Sequence, residues 1–264
     1  MILVFKILKI IDFMTFFDEF KLTSPADIVS MLNGLFGIVA IYFIINGELV
    51  FSSFLLFVSM FFDRLDGTVA RMFKSKHNKG MYVDSVADVI SFATAPALLF
   101  YFSFTTAGML NFFVILASVF IFAFGVMRLV KFSLSGYKLK IFAGIPTPAT
   151  TFFVIMLNFL FGNKISAYNL PLFSTQPLIA IPLVLVVSVM MMSNVPFPKL
   201  IFRIKYLLLL AGFAIGFVLF LYVLYLQSNP LWSILFYGFV LVMFIIVVLY
   251  FLVGPFALRY YKSP

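Results

Sequence analysis

Apolar residues run along this chain in long blocks rather than at alternating or one-sided positions. Eight blocks stand out, over residues 28–45, 49–73, 81–104, 110–129, 141–161, 177–192, 206–226 and 233–252. A hydrocarbon core of ~30 Å is crossed by about 20 such residues in a helix, so each block is expected to be a transmembrane span. The first 24 residues differ, because Lys6, Lys9, Asp12, Asp18 and Glu19 interrupt the apolar background and no small-residue cleavage site follows. That pattern predicts an interfacial amphipathic helix rather than a signal peptide. The expected fold class is therefore an all-α polytopic membrane protein.

Composition agrees with the pattern and narrows the function classes. Of the 264 residues 64% are hydrophobic, 39 are Phe and only 10% are charged, with a mean hydropathy of +1.20; such a chain cannot present a polar surface to water. With no Cys, disulfides and thiolate chemistry are excluded.

The basic residues set the expected orientation. With the N-terminus inside, 17 of the 18 Lys and Arg fall on cytoplasmic segments and only Lys164 falls outside, the bias that places both ends and the basic loops in the cytoplasm. The net charge of +9 then reflects topology and anionic lipid headgroups, with no nucleic acid partner implied. The expected location is the cell membrane, multi-pass.

Four of the nine carboxylates, Asp63, Asp66, Asp84 and Asp88, lie within the second and third blocks. Asp63 and Asp66 sit ~21 and ~25 Å below the outer boundary of the second span, and Asp88 and Asp84 ~24 and ~30 Å from the same boundary on the third. The two pairs thus share one layer just inside the cytoplasmic edge. Spacings of three and four place each pair on one face of its helix, and the short hairpin 74–79 makes the helices antiparallel neighbours. Four like charges in a partly desolvated layer call for a cation, and an all-oxygen set selects magnesium, manganese or calcium over zinc. Gly67 and Ala70, on the same face as Asp63 and Asp66, let backbone or ligand approach closely, and helix packing uses small residues in the same way. Arg71 has the reach to meet a phosphate or to snorkel to the interface.

At these residues the chain resembles a known family. Asp63-x-x-Asp66-Gly67-x-x-Ala70-Arg71, eight residues, then Gly80-x-x-x-Asp84-x-x-x-Asp88 is similar at every position to the motif of the CDP-alcohol phosphotransferases. The resemblance implies a membrane enzyme that joins an alcohol to the phosphate of a CDP-linked lipid and releases CMP. It also implies a core of six helices, a homodimer, and two divalent metals held by the aspartates. Four further stretches, "SFATAPALLFYF", "RLVKFS", "FAGIPTPAT" and "SNVPFPK", with "DIVSMLN" at residues 27–33, resemble the serine-using members of bacterial and archaeal type. Asp27 and Ser30 stand where Asn and Thr are usual, Ala93 where Gly is usual and Phe197 where Tyr is common. The implied organisation is an interfacial helix over 1–24, a six-helix catalytic core over 25–200, and two additional spans with a short cytoplasmic tail over 201–264.

The implied substrates are CDP-diacylglycerol or CDP-archaeol and L-serine, with membrane lipids around them. Asp63, Asp66, Asp84 and Asp88 are the expected metal ligands, with Asp88 also the expected acceptor of the hydroxyl proton. Gly67, Ala70, Arg71 and Gly80 are expected to meet the CDP-lipid. Arg128, ~27 Å from the outer boundary and so in the layer of the aspartates, is expected to recognise the acceptor's carboxylate or a phosphate, with Lys131 second; a purely topological role in the positive-inside pattern is the alternative for both. The sole His77 lies in the basic hairpin, so direct attack is simpler than a covalent intermediate. Glycerol 3-phosphate or inositol phosphate remain alternative acceptors. A divalent-cation transporter is the alternative from another class, although it would place acids near the midplane and beyond.

Overall fold

The computed structural model describes residues 25–72, 80–135, 141–162, 177–198 and 230–261. The expected amphipathic helix over 1–24, the hairpin 74–79 and the expected span 206–226 lie outside the described residues, as do the side chain of Arg71 and the surroundings of Gly80.

Among the described residues the chain is helical apart from one small ribbon. Helix α1 spans Pro25–Ile45 and α2 Leu49–Met72. Next come α3, Gly80–Asp88, a π-helical stretch Val89–Thr94, and α4, Ala95–Phe104, which together make one continuous rod. Helix α5 covers Met109–Ser135, α6 Thr147–Phe161, α7 Pro177–Met192 and α8 Pro230–Tyr261. Among the described residues four helical stretches, Pro25–Ile45, Tyr82–Phe104, Met109–Ser133 and Phe236–Val253, are long and apolar enough to cross a membrane. Helix α2 has the length but carries the acids.

Helix α1 shows how the sequence chooses its faces. Its outward positions are large and apolar, Ile28, Met31, Leu35, Ile38, Tyr42 and Ile45. Its inward face is small or polar as far as Ala40, through Ala26, Asp27, Ser30, Asn33, Gly34 and Gly37, with Ile44 buried at its end. This is the reverse of a water-soluble helix, as expected where lipid is the solvent and helices meet through small side chains and hydrogen bonds. A Cβ on Gly34 would stand 3.2 Å from that of Ala87, so the glycine sets how closely α1 approaches the third rod.

The π-helical stretch has an identifiable cause in Pro96. Proline has no N–H to donate to the carbonyl of Phe92; the Ala95 N–H bonds instead to Ile90, five residues back, and the Thr94 hydroxyl to Val89, 3.0 Å away. The Phe92 carbonyl accepts the Thr151 hydroxyl of α6 at 3.4 Å.

The expected fifth span does not begin as a helix. Residues Ile141–Ala143 form a strand, β1, paired antiparallel with β2, Pro196–Pro198. Prolines at both ends of β2 can donate nothing to a ladder, which keeps the ribbon short. Gly144 turns the chain out of β1 with φ +80°, and a Cβ there would collide with the Met191 carbonyl group. Its N–H donates to Val195 O at 2.9 Å, and Pro146 then leads into α6 at Thr147.

Helix α8 packs on α6 through aromatic rings: Phe153 meets Phe244 and Phe251 at 5.5 and 5.6 Å, and Phe159 meets Phe236 at 5.3 Å. Tyr250 of α8 meets Phe197 of the ribbon at 5.7 Å. In the apolar interior, Asn158 donates to Ser53 at 3.0 Å and accepts from Ser103 at 2.6 Å. Three helices are thus registered by one satisfied polar cluster.

Candidate active site

The four aspartates meet at the facing ends of α2 and α3. One carboxylate oxygen from each of Asp63, Asp66 and Asp84 lies within 4.8 Å of the others, and the Asp88 carboxyl faces Asp63 within electrostatic range of all three. The i, i+3 and i, i+4 spacings place each pair on one face, and the antiparallel arrangement turns those faces together. Asp66 is buried, and Asp84 Oδ1 is buried without a hydrogen-bond partner among the described residues. Converging carboxylates with an orphaned oxygen form a donor set that fits a hard divalent cation.

Gly67 lies exposed one residue beyond Asp66. A Cβ there would meet nothing within 4 Å, so no packing neighbour among the described residues demands a glycine at this point. Ala70 is half-buried on the next turn. Arg71 falls in the last turn of α2 and Gly80 opens α3.

Arg128 extends the site across α5. It is 6% exposed, which for a guanidinium in an apolar protein requires compensating partners. Its Nη1 donates to Thr147 Oγ1 at 2.9 Å, and its charge acts on Asp63 and Asp88. Thr147 follows the ribbon and the turn at Gly144, three residues before it, and the "FAGIPTPAT" stretch thereby presents a hydroxyl to Arg128. Lys131, one turn further along α5, donates to Met192 O at 3.5 Å and to Asn194 Oδ1 at 2.9 Å. An ammonium at the C-terminal carbonyls of α7 is favourably placed for that helix's dipole, and "SNVPFPK" is thereby tied to "RLVKFS".

Several site residues escaped the reading of the sequence. Ser30 Oγ donates to Asp66 Oδ2 at 2.9 Å and Asn33 Nδ2 to Asp88 Oδ1 at 3.1 Å. Their signal was a three-residue spacing of polar groups inside an apolar helix. Thr147 had only its place in the motif to mark it. Tyr250, from beyond the expected catalytic core, stands where Arg64 and Arg128 act on its phenol.

Comparison with known proteins agrees with this geometry. Residues 23–226 match the family model described as CDP-alcohol phosphatidyltransferase. The chain is 33% identical over 187 residues to the archaetidylserine synthase of Methanothermobacter thermautotrophicus, covering 69% of this chain and 74% of that one. It is 32% identical over 179 residues to the CDP-diacylglycerol–serine O-phosphatidyltransferase of Methanocaldococcus jannaschii, covering 68% and 76%. A Helicobacter pylori protein of the latter name is 31% identical over 169 residues, 62% of this chain and 67% of that one. Both the matched length and the acid cluster within it lead to one conclusion: the chain is a membrane protein belonging to the CDP-alcohol phosphatidyltransferase family.

Proposed function

We propose that this protein transfers the phosphatidyl or archaetidyl group of a CDP-linked lipid to the hydroxyl of L-serine and releases CMP. The observation that carries the reading is the convergence of Asp63, Asp66 and Asp84 beside Asp88, with buried Arg128 acting on Asp63 and Asp88. The names of its relatives support serine as the acceptor.

Asp63, Asp66 and Asp84, with one oxygen of Asp88, would hold two divalent ions, magnesium or manganese. Bound there, the cations supply the charge neutralisation that a pyrophosphate and a departing CMP phosphate need. The open face at Gly67 and Ala70 admits the nucleotide, and Arg71 and the backbone at Gly80 meet its phosphates. The serine oxygen bonds to the lipid-linked phosphorus as the bond from that phosphorus to the CMP oxygen breaks. The hydroxyl proton passes to Asp88, and no covalent enzyme intermediate is required. Arg128 pairs with the serine carboxylate, its fork held by Thr147; Lys131, engaged at the end of α7, is the secondary contact. We place the acid layer and both termini on the cytoplasmic side, and we expect a homodimer.

Two measurements test this. Purified protein given CDP-diacylglycerol or CDP-archaeol, manganese or magnesium, and a panel of alcohols should release CMP with L-serine. Release with glycerol 3-phosphate or inositol phosphate in its place would overturn the serine assignment. Arg128→Ala should lower kcat/KM for serine at least tenfold, or ~1.4 kcal/mol, while the protein stays folded; unchanged kinetics would return Arg128 to a purely topological role.

A further inference from the structure

We propose that Ser30 and Asn33 of α1 are positioning residues that set the two halves of the acid layer separately, Ser30 for cation binding by Asp66 and Asn33 for turnover at Asp88. The inference rests on the reaction proposed above only for its second half.

The geometry is specific. Ser30 and Asn33 are one turn apart on the buried face of α1, and each donates to a different acid helix: Ser30 Oγ to Asp66 Oδ2 on α2, Asn33 Nδ2 to Asp88 Oδ1 on α3. Both side chains are buried, Asn33 with no exposure at all. A carboxylate oxygen only accepts, so the amide must turn its nitrogen to Asp88 and its oxygen away. That oxygen accepts the Ser59 hydroxyl at 2.5 Å. The Asn33 main-chain carbonyl accepts the Ser91 hydroxyl at 3.0 Å, one turn beyond Asp88. Asn33 is therefore gripped from α2 and from the π-helical stretch at once, and its side chain has one orientation available.

Close approach makes the grip possible. A Cβ on Gly37 would run into Ser91, whose Cα would lie 3.1 Å from it, so α1 rests directly on the segment that carries Asp88. With Oδ1 of Asp88 occupied by the Asn33 amide, the acceptor's proton is left to the other oxygen. With Oδ2 of Asp66 held by Ser30, that carboxylate is pre-oriented among its neighbours before any cation arrives. Outer partners that orient ligands in this way are typically worth ten- to a hundredfold in affinity or activity.

The test uses the full chain in detergent or vesicles, with manganese as probe. Manganese affinity is measured by titration of the paramagnetic signal of free manganese without CDP-lipid, and kcat and KM are measured by CMP release. Ser30→Ala should weaken manganese binding tenfold or more, with recovery in Ser30→Thr, which keeps the hydroxyl. Asn33→Ala should lower kcat at least tenfold while manganese affinity and KM for CDP-lipid stay within twofold. Ser59→Ala, which frees the amide without removing it, should give the same signature more weakly. If Asn33→Ala does not fold, Ser59→Ala decides: a loss confined to kcat supports the proposal, and an unchanged kcat overturns it. The proposal also fails if Ser30→Ala binds manganese normally, or if Asn33→Ala loses manganese affinity as much as kcat. A wild-type protein that releases no CMP with any alcohol would instead sink the proposed reaction, and the manganese titrations would still decide the role of Ser30.

Discussion

Asp66→Asn should abolish CDP-lipid binding and CMP release together, whereas Asp88→Asn should keep most of the binding and lose turnover by ~10²-fold or more. The difference follows from where the carboxylates lie. Asp66 is one of three acids whose oxygens come within 4.8 Å of one another, and a pyrophosphate that docks through cations is lost when the cations are lost. Asp88 stands at the side of that trio and is held by an amide. An Asn there keeps the shape and an oxygen ligand and removes only the proton acceptor, at a cost of ~2.7 kcal/mol in the barrier for a hundredfold loss. Calorimetry with CDP-lipid and CMP release at saturating metal separate the outcomes. If Asp88→Asn loses binding as completely as Asp66→Asn, Asp88 is chiefly a ligand; if it turns over normally, it is not the base.

Gly144→Ala is expected to be the most damaging conservative change away from the acids. At φ +80° a non-glycine residue carries ~1–2 kcal/mol of strain, and the new Cβ would also stand 2.9 Å from the Met191 carbonyl carbon and 3.0 Å from Ser193 O. These are backbone atoms at the end of α7, which cannot swing aside as a side chain does. Thermal unfolding in detergent should move down by ~5 °C or more. Because Gly144 precedes the segment that presents Thr147 to Arg128, KM for serine should rise while CDP-lipid binding is spared. An unchanged melting temperature would show that the ribbon yields more readily than its geometry implies.

The acid layer was legible in the sequence because carboxylates inside apolar runs are costly, and their spacing plus a count of residues from the membrane edge gives both face and depth. Arg128 was legible in the same way, since depth along one helix needs no tertiary information. The partners of these residues were not. Asn33 bonds to a side chain 55 positions away, and nothing local in "DIVSMLN" distinguishes a donor to Asp88 from a group packed against a neighbouring helix. The start of the fifth run was misleading because an apolar pentad satisfies a length criterion as strand or helix, and only Pro146 and Pro148 hinted at the break. The alanine at Ala93 has a tertiary neighbour as well: a Cβ on Gly125 would stand 3.0 Å from that of Ala93, so the glycine on α5 leaves room for that methyl group.

The π-helical stretch after Asp88 puts the third rod out of phase with itself. One residue inserted into the i→i+4 ladder amounts to a slip of about 100° around the axis, so the half that carries Asp84 and Asp88 and the half that carries Leu99, Phe100 and Phe104 do not continue one another's faces. Phe100 and Phe104 are fully buried on the far side of the slip. The face that carries Asp84 and Asp88 is thereby set apart, around the axis, from the face that Leu99, Phe100 and Phe104 bury in the protein interior.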